Sequence, residues 1–275
     1  MKWIKKNGLT MILVAVFLMG LGLILYPTVS DYWNSLHQSK AVVSYVENVT
    51  NIDDEKYEEL WQDAAAYNER LGESGIQWLL TDEEKEEYNE LLKIDDSGIM
   101  AYIDIPVINC SLPIYHGTEE SVLQVAVGHI EGTSLPVGGE SSHCVVSGHR
   151  GLPSARIFTD LDKLVEGDTF LIHTLDATLT YEVDQIRIVE PTDLSDLQIE
   201  EGKDLCTLVT CTPYGINTHR LLVRGHRVAN EEEVQEVRVS ADATQVDPVQ
   251  VAPFLAVPLL LLLVVWMLIA TRRKR

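Results

Sequence analysis

Positive charge is scarce along most of this 275-residue sequence. All 42 acidic residues lie within 31–247, while seven of the 21 basic ones crowd the two ends (Lys2, Lys5, Lys6, Arg272, Arg273, Lys274 and Arg275). The stretch between the ends therefore has 14 basic residues and a net charge near −28. Such a balance speaks against nucleic acid or an anionic bilayer surface as a partner, and it keeps a tethered domain soluble. Cysteine is scarce as well. Cys110, Cys144, Cys206 and Cys211 are too few for a dense disulfide framework, which a domain of this size does not need. Their even number leaves two bridges and three connectivities open. No histidine and cysteine spacing resembles a zinc site, so neither a metal nor a cofactor is expected. No internal repeat is present, which excludes solenoid and propeller arrays.

Two long apolar runs stand out. Leu9 to Tyr26 carries no charge, and Val251 to Ala270 is more apolar still. Each approaches the roughly 20 residues that cross a hydrocarbon core of about 30 Å. Lys2, Lys5 and Lys6 precede the first, and Thr-Arg-Arg-Lys-Arg follows the second. Basic flanks stay cytoplasmic, so both termini are expected inside and everything between them outside the cell. Residues 1–30 read as a transmembrane segment or signal anchor, with a cleaved signal peptide as the alternative, although Thr28-Val-Ser30 is a poor cleavage site. Residues 251–275 read as a transmembrane helix with a basic tail, and 231–250 as a polar linker.

Residues 31–96 read as a helical extension. Asp31 to Leu71 is expected as helix, with Tyr57, Leu60, Trp61, Ala64, Tyr67, Asn68 and Leu71 on one stripe and Gly72 ending it. Thr81-Asp-Glu-Glu84 is a capping box opening a second, short helix through Tyr88, Leu91 and Leu92. Over 97–230 the character turns to β. Short runs such as MAYIDIPV, CSLPIY, CVVSG, TFLIHTL, TLTYEVDQIRIVE, LCTLVTC and RLLVRGHRV alternate with Gly- and Pro-rich turns. Such spacing predicts an antiparallel sandwich or a closed barrel.

The chemistry gathers at the end of that region. Side chains alternate faces along a strand, so Cys206 and Cys211, an odd number apart, point opposite ways and cannot bridge. Cys110, Cys144 and Cys206 sit in apolar or β-rich context as small buried hydrophobes. Cys211 instead ends its strand at a Pro-Tyr-Gly turn, and a hairpin there would bring Arg220 beside it. A guanidinium at that distance favours a thiolate and can donate to an oxyanion. A cysteine nucleophile also needs a proton-transfer partner. His149, at the end of Cys144-Val-Val-Ser-Gly148, is the first candidate among eight histidines, and His129 in VGHIEG is the second. A lone histidine is more often structural than catalytic, so neither residue is assigned by position alone.

Thr207-Leu-Val-Thr-Cys211 resembles the sortase signature TLxTC, and Thr212-Pro-Tyr-Gly-Ile-Asn-Thr-His-Arg220 continues it as in the class C, or pilin-type, sortases. SGHRGLPSARIFTDLDKL around His149 and the upstream GHIEGTSLPVGG are similar to that class too. The resemblance spans roughly 97–228. It implies a mainly β, sortase-like closed barrel with short connecting helices, behind a helical extension and flanked by two transmembrane helices. By resemblance Cys211 is the nucleophile, His149 the general acid/base partner and Arg220 the oxyanion donor. It implies cleavage of an LPxTG-type sorting signal between Thr and Gly, a thioester on Cys211, and transfer to an amine. In this class the amine is a pilin lysine. Anchoring of surface proteins to a peptidoglycan bridge, and hydrolysis of the same acyl-enzyme, are the alternatives, and a non-catalytic receptor is the rival of another kind. One departure concerns the lid: class C enzymes typically carry an Asp-Pro-aromatic plug, whereas Leu71-Gly-Glu-Ser-Gly-Ile-Gln-Trp78 has no Asp-Pro. Trp78 is then either the plug or a residue packed under the second helix.

Overall fold

The computed structural model describes residues 2–230, with side chains from residue 11 onward. The predicted linker and second apolar segment lie outside the described residues. Two units are described separately, one ending at Ser30 and the other beginning at Asp31. In the first, the apolar run is helical, as part of α1 (Lys2–Thr50). Among the described residues this is the one helix, over Met11–Thr50, with the length and composition to cross a membrane.

In the second unit the helix expected over 31–71 is in fact two. The chain turns at Asn51-Ile52, and Asp53 caps α2 (Asp54–Ser74) by accepting from the Lys56 backbone N–H at 2.8 Å. Asp54 and Glu55 then occupy the first turn, where the helix dipole favours them. The helix runs past Gly72 and stops at Gly75, whose φ of 82° a side chain would disfavour. The predicted stripe is the buried one: Leu60, Ala64, Tyr67, Asn68 and Leu71 face the barrel. Asn68 is satisfied there, donating to Leu135 O and Gly138 O and accepting from Leu135 N. The capping box at Thr81 forms as expected and opens α3 (Asp82–Glu90).

Eight strands close into one barrel: β1 (Ile99–Ile105), β2 (Cys110–His116), β3 (Val127–His129), β4 (Ser142–Gly148), β5 (Thr169–Thr174), β6 (Ala177–Val189), β7 (Asp204–Thr212) and β8 (His219–Val228). Their order around the wall is β1-β2-β3-β4-β7-β8-β6-β5. Closure leaves no edge strand. The sheet is mixed rather than antiparallel, because β2 pairs with β3 and β4 with β7 in parallel. One short helix, α4 (Glu120–Leu123), precedes β3. Between β4 and β5 the chain makes a single 3-10 turn at Leu161–Lys163.

The alternation read from the sequence divides β7 as foreseen. Cys206 and Leu208 enter the main core with Cys144, Val146, Leu221 and Val223. Val209 belongs to a separate outer cluster with Val145, Leu222 and Leu197. All four thiols are free, and Cys144 and Cys206 are buried partners across the β4–β7 ladder.

A buried histidine fastens that ladder to the loop before β7. His143 Nδ1 lies 2.8 Å from Gln198 O and Nε2 lies 2.7 Å from Thr207 Oγ1. The neutral ring satisfies both if Nδ1–H donates and Nε2 accepts the hydroxyl proton. Burial lowers its pKa, outweighing the backbone contact. A folded pKa below the unfolded value of about 6.5 means the stabilisation is present above that pH and is lost as pH falls below it. The urea midpoint should therefore drop between pH 7 and pH 5, and His143→Gln should shrink the drop. An equal drop in both proteins would assign the acid sensitivity elsewhere.

Candidate active site

Antiparallel pairing of β7 with β8 sets Cys211 directly across from Arg220. The hairpin expected from the Pro-Tyr-Gly turn is thus present. β4 runs parallel on the other side of β7, with Ser147 opposite Val209. Beyond that pair Thr210 Oγ1 donates to Gly148 O at 2.7 Å. One residue further along each strand come His149 and Cys211. Parallel neighbours end at the same rim, so imidazole, thiol and guanidinium are carried there by three adjacent strands. Cys211 shares its face with Val209, His149 with Val145 and Ser147, and Arg220 with Leu222, all on the outer wall. The site is therefore a patch on the outside of the barrel, with an apolar floor.

Accessibility agrees with this placement. Cys211 is half-buried, whereas Cys144 and Cys206 are sealed in the core. Cys110 is also half-buried, but burial of its thiol pushes its pKa up to about 12, so it holds no thiolate near neutral pH. Arg220 Nη1 donates to His219 O at 3.2 Å, the guanidinium's one hydrogen bond among the described residues. Its remaining donors are available to an incoming oxyanion. His149 Nε2 lies 3.8 Å from Glu120 Oε2 of α4, which sequence reasoning did not single out. His129, the second candidate, is fully buried and held by Tyr88 Oη at 2.9 Å and Ser134 O at 2.8 Å, away from this face.

Two loops meet over the rim. Arg150 pairs with Asp162 and lies 5.9 Å above the Tyr214 ring. Gly151 has φ 76°, and a Cβ there would come within 2.9 Å of that ring. Glycine is needed at this position for both reasons.

Trp78 is half-buried and lies against the outer cluster of Val145, Leu197, Val209 and Leu222. Val209 is two residues from Cys211, about 7 Å along the strand. The segment carrying Trp78 is tied down by Gln77 N donating to Gly132 O at 3.1 Å. Nothing in the local sequence showed which surface this tryptophan would reach.

Comparison with known proteins agrees with the geometry. The sortase domain family model matches residues 103–228. The solved structure of sortase C1 from Streptococcus agalactiae is 56% identical with a TM-score of 0.69, covering 70% of this chain and 100% of that one. That of Streptococcus pneumoniae sortase C, described for its catalysis and pilin substrate specificity, is 44% identical with a TM-score of 0.63, covering 69% of this chain and 97% of that one. Among curated proteins, sortase D of Bacillus subtilis (strain 168) is 33% identical over 135 residues, 48% of this chain and 64% of the relative's length. With the closed-barrel fold and a likeness that spans nearly the whole of solved sortase C chains, this chain belongs to the sortase family, in its class C branch.

Proposed function

We propose that the chain is a membrane-anchored cysteine transpeptidase that joins proteins bearing LPxTG-type sorting signals to an amine, the side chain of a pilin lysine. The observation that carries this is the Cys211–Arg220 register with His149 at the end of the parallel neighbour, above an apolar outer face. Cys211 Sγ attacks the threonine carbonyl carbon, and the developing oxyanion takes hydrogen bonds from Arg220. The Thr–Gly C–N bond breaks as His149 gives its proton to the departing glycine amine, leaving a thioester. The acceptor amine then attacks, His149 takes its proton, and the thiolate leaves. The membrane supplies the tether at α1, with both termini cytoplasmic and the barrel outside the cell. A second anchor at 251–275 belongs to the same proposal.

Mass spectrometry after incubation with an LPxTG-type peptide tests this. An adduct equal to the peptide cut after threonine should map to Cys211. Added lysine amine should convert it to an isopeptide rather than to free acid. Free acid alone would make the enzyme a hydrolase, and a peptidoglycan-bridge amine preferred over lysine would make it an anchoring sortase.

Trp78 acts as the lid in this reading, filling the apolar face that a sorting signal would cover. Partial burial of an indole is consistent with roughly 1–2 kcal/mol in favour of the covered form, a factor of about 5 to 30. Trp78→Ala should raise the rates of Cys211 alkylation and of peptide cleavage by that factor. Unchanged rates would leave Trp78 as surface packing only.

A further inference from the structure

The geometry points to a second role for α1: its turns from Asp31 to Gln38 clamp the two segments that flank His149, making Asp31, Asn34 and Gln38 positioning residues of the active site. This rests on the assignment of His149 as the proton-transfer partner. The three side chains stand at i, i+3 and i+7, on one helical face, and each is half-buried while residues 32, 33 and 35–37 between them are exposed.

Two of the three hold the loop that follows His149. Asn34 Nδ2 donates to Ser154 O at 2.8 Å, and the Arg156 backbone N–H donates to Asp31 Oδ1 at 2.9 Å. Two residues after Arg156, the Phe158 N–H donates to His149 O at 3.1 Å, closing the loop on the histidine's own carbonyl. Between these points the loop has no strand or helix of its own. Its shape therefore rests on a few bonds of its own, such as Gly151 N–H to Thr159 Oγ1 at 3.2 Å, and on the contacts from α1. Ile157, between the clamp and the closure, is at φ 28°, a conformation a branched side chain rarely adopts unless neighbours impose it.

The third residue holds the other flank. Gln38 Nε2 donates to Val125 O at 2.6 Å. Val125 follows α4, whose Glu120 faces the imidazole, and precedes β3, which pairs with β4 up to Gly148. One helical face thus fixes both the backbone after His149 and the segment carrying its carboxylate neighbour. Misplacement of a catalytic group by about 1 Å can cost on the order of 100-fold in rate.

The test uses the full chain in detergent micelles, with Asp31→Ala/Asn34→Ala compared with Asp31→Asn, which keeps the accepting oxygen. The paired alanine variant should lower kcat on an LPxTG-type peptide roughly 10- to 100-fold with KM within twofold. The pH profile of Cys211 alkylation by iodoacetamide should shift, since it reports the imidazole beside the thiol. Asp31→Asn should behave as wild type in both. A wild-type kcat and alkylation profile in the paired variant would overturn the clamp. So would parallel losses of activity and melting temperature shared by Asp31→Asn, which would make the contacts merely structural. Failure of the wild-type enzyme to acylate would instead count against the transpeptidase reading, and the alkylation profile would still report on the clamp.

Discussion

Cys211→Ala will abolish acyl transfer, lowering turnover on a sorting-signal peptide by on the order of 10⁴-fold or more while leaving the fold intact. The expectation follows from the division of the four cysteines. Cys144 and Cys206 are enclosed in the barrel, and the Cys110 thiol stays protonated because burial pushes its pKa up to about 12. No other sulfur can replace the one at the rim. The side chain points to the outer wall, so its removal opens no cavity in the main core, and the melting temperature should change by no more than a few degrees. Peptide-adduct mass spectra and a thermal melt on the same sample check both halves. Residual thioester formation at another cysteine would refute the assignment.

Arg220→Lys should be nearly as damaging, with a loss in kcat of about 10²- to 10³-fold, the usual effect of removing one oxyanion donor. Charge is conserved in that substitution, but the planar fork of donors is not. Arg220, on β8, stands opposite Cys211 on β7 and opposite Val189 on β6, so its Cα is fixed from both sides. A lysine there presents a point charge on a flexible stem and must give up rotamer freedom to reach the same oxygen. Single-turnover kinetics will separate the steps: acylation should slow while KM stays near its wild-type value. A lysine variant with wild-type acylation would mean that charge alone suffices, and the oxyanion role of the fork would fall.

Much of this site was legible because it depends on local rules. Alternation along β7 separated Cys211 from Cys206, and a turn after the cysteine was enough to bring Arg220 across from it. His149 was a first candidate as the end of a short apolar strand, and its role came only from the resemblance of the surrounding segment to class C sortases. The unread parts all depend on pairings between distant segments. β3 is three residues long and has no period to detect. The parallel ladder between β4 and β7, which brings His149 to the same rim as Cys211, joins residues about sixty apart. Asn51-Ile52 breaks the first helix, and the signal was present in Asp53-Asp54-Glu55 as an N-cap with an acidic first turn. The longer apolar stripe masked it. Where Trp78, Glu120 and Asp31 would reach depends on tertiary packing alone.

The two apolar clusters on opposite sides of β4, β7 and β8 have an evolutionary consequence. Val145, Val209 and Leu222 face outward, and none of them helps to fill the barrel. All three are nonetheless buried, against Leu197, Leu194 and Trp78, so exchanging them costs packing in this second cluster while leaving the barrel interior untouched. Shape on the outer face and filling of the interior can therefore vary separately, because no side chain belongs to both clusters.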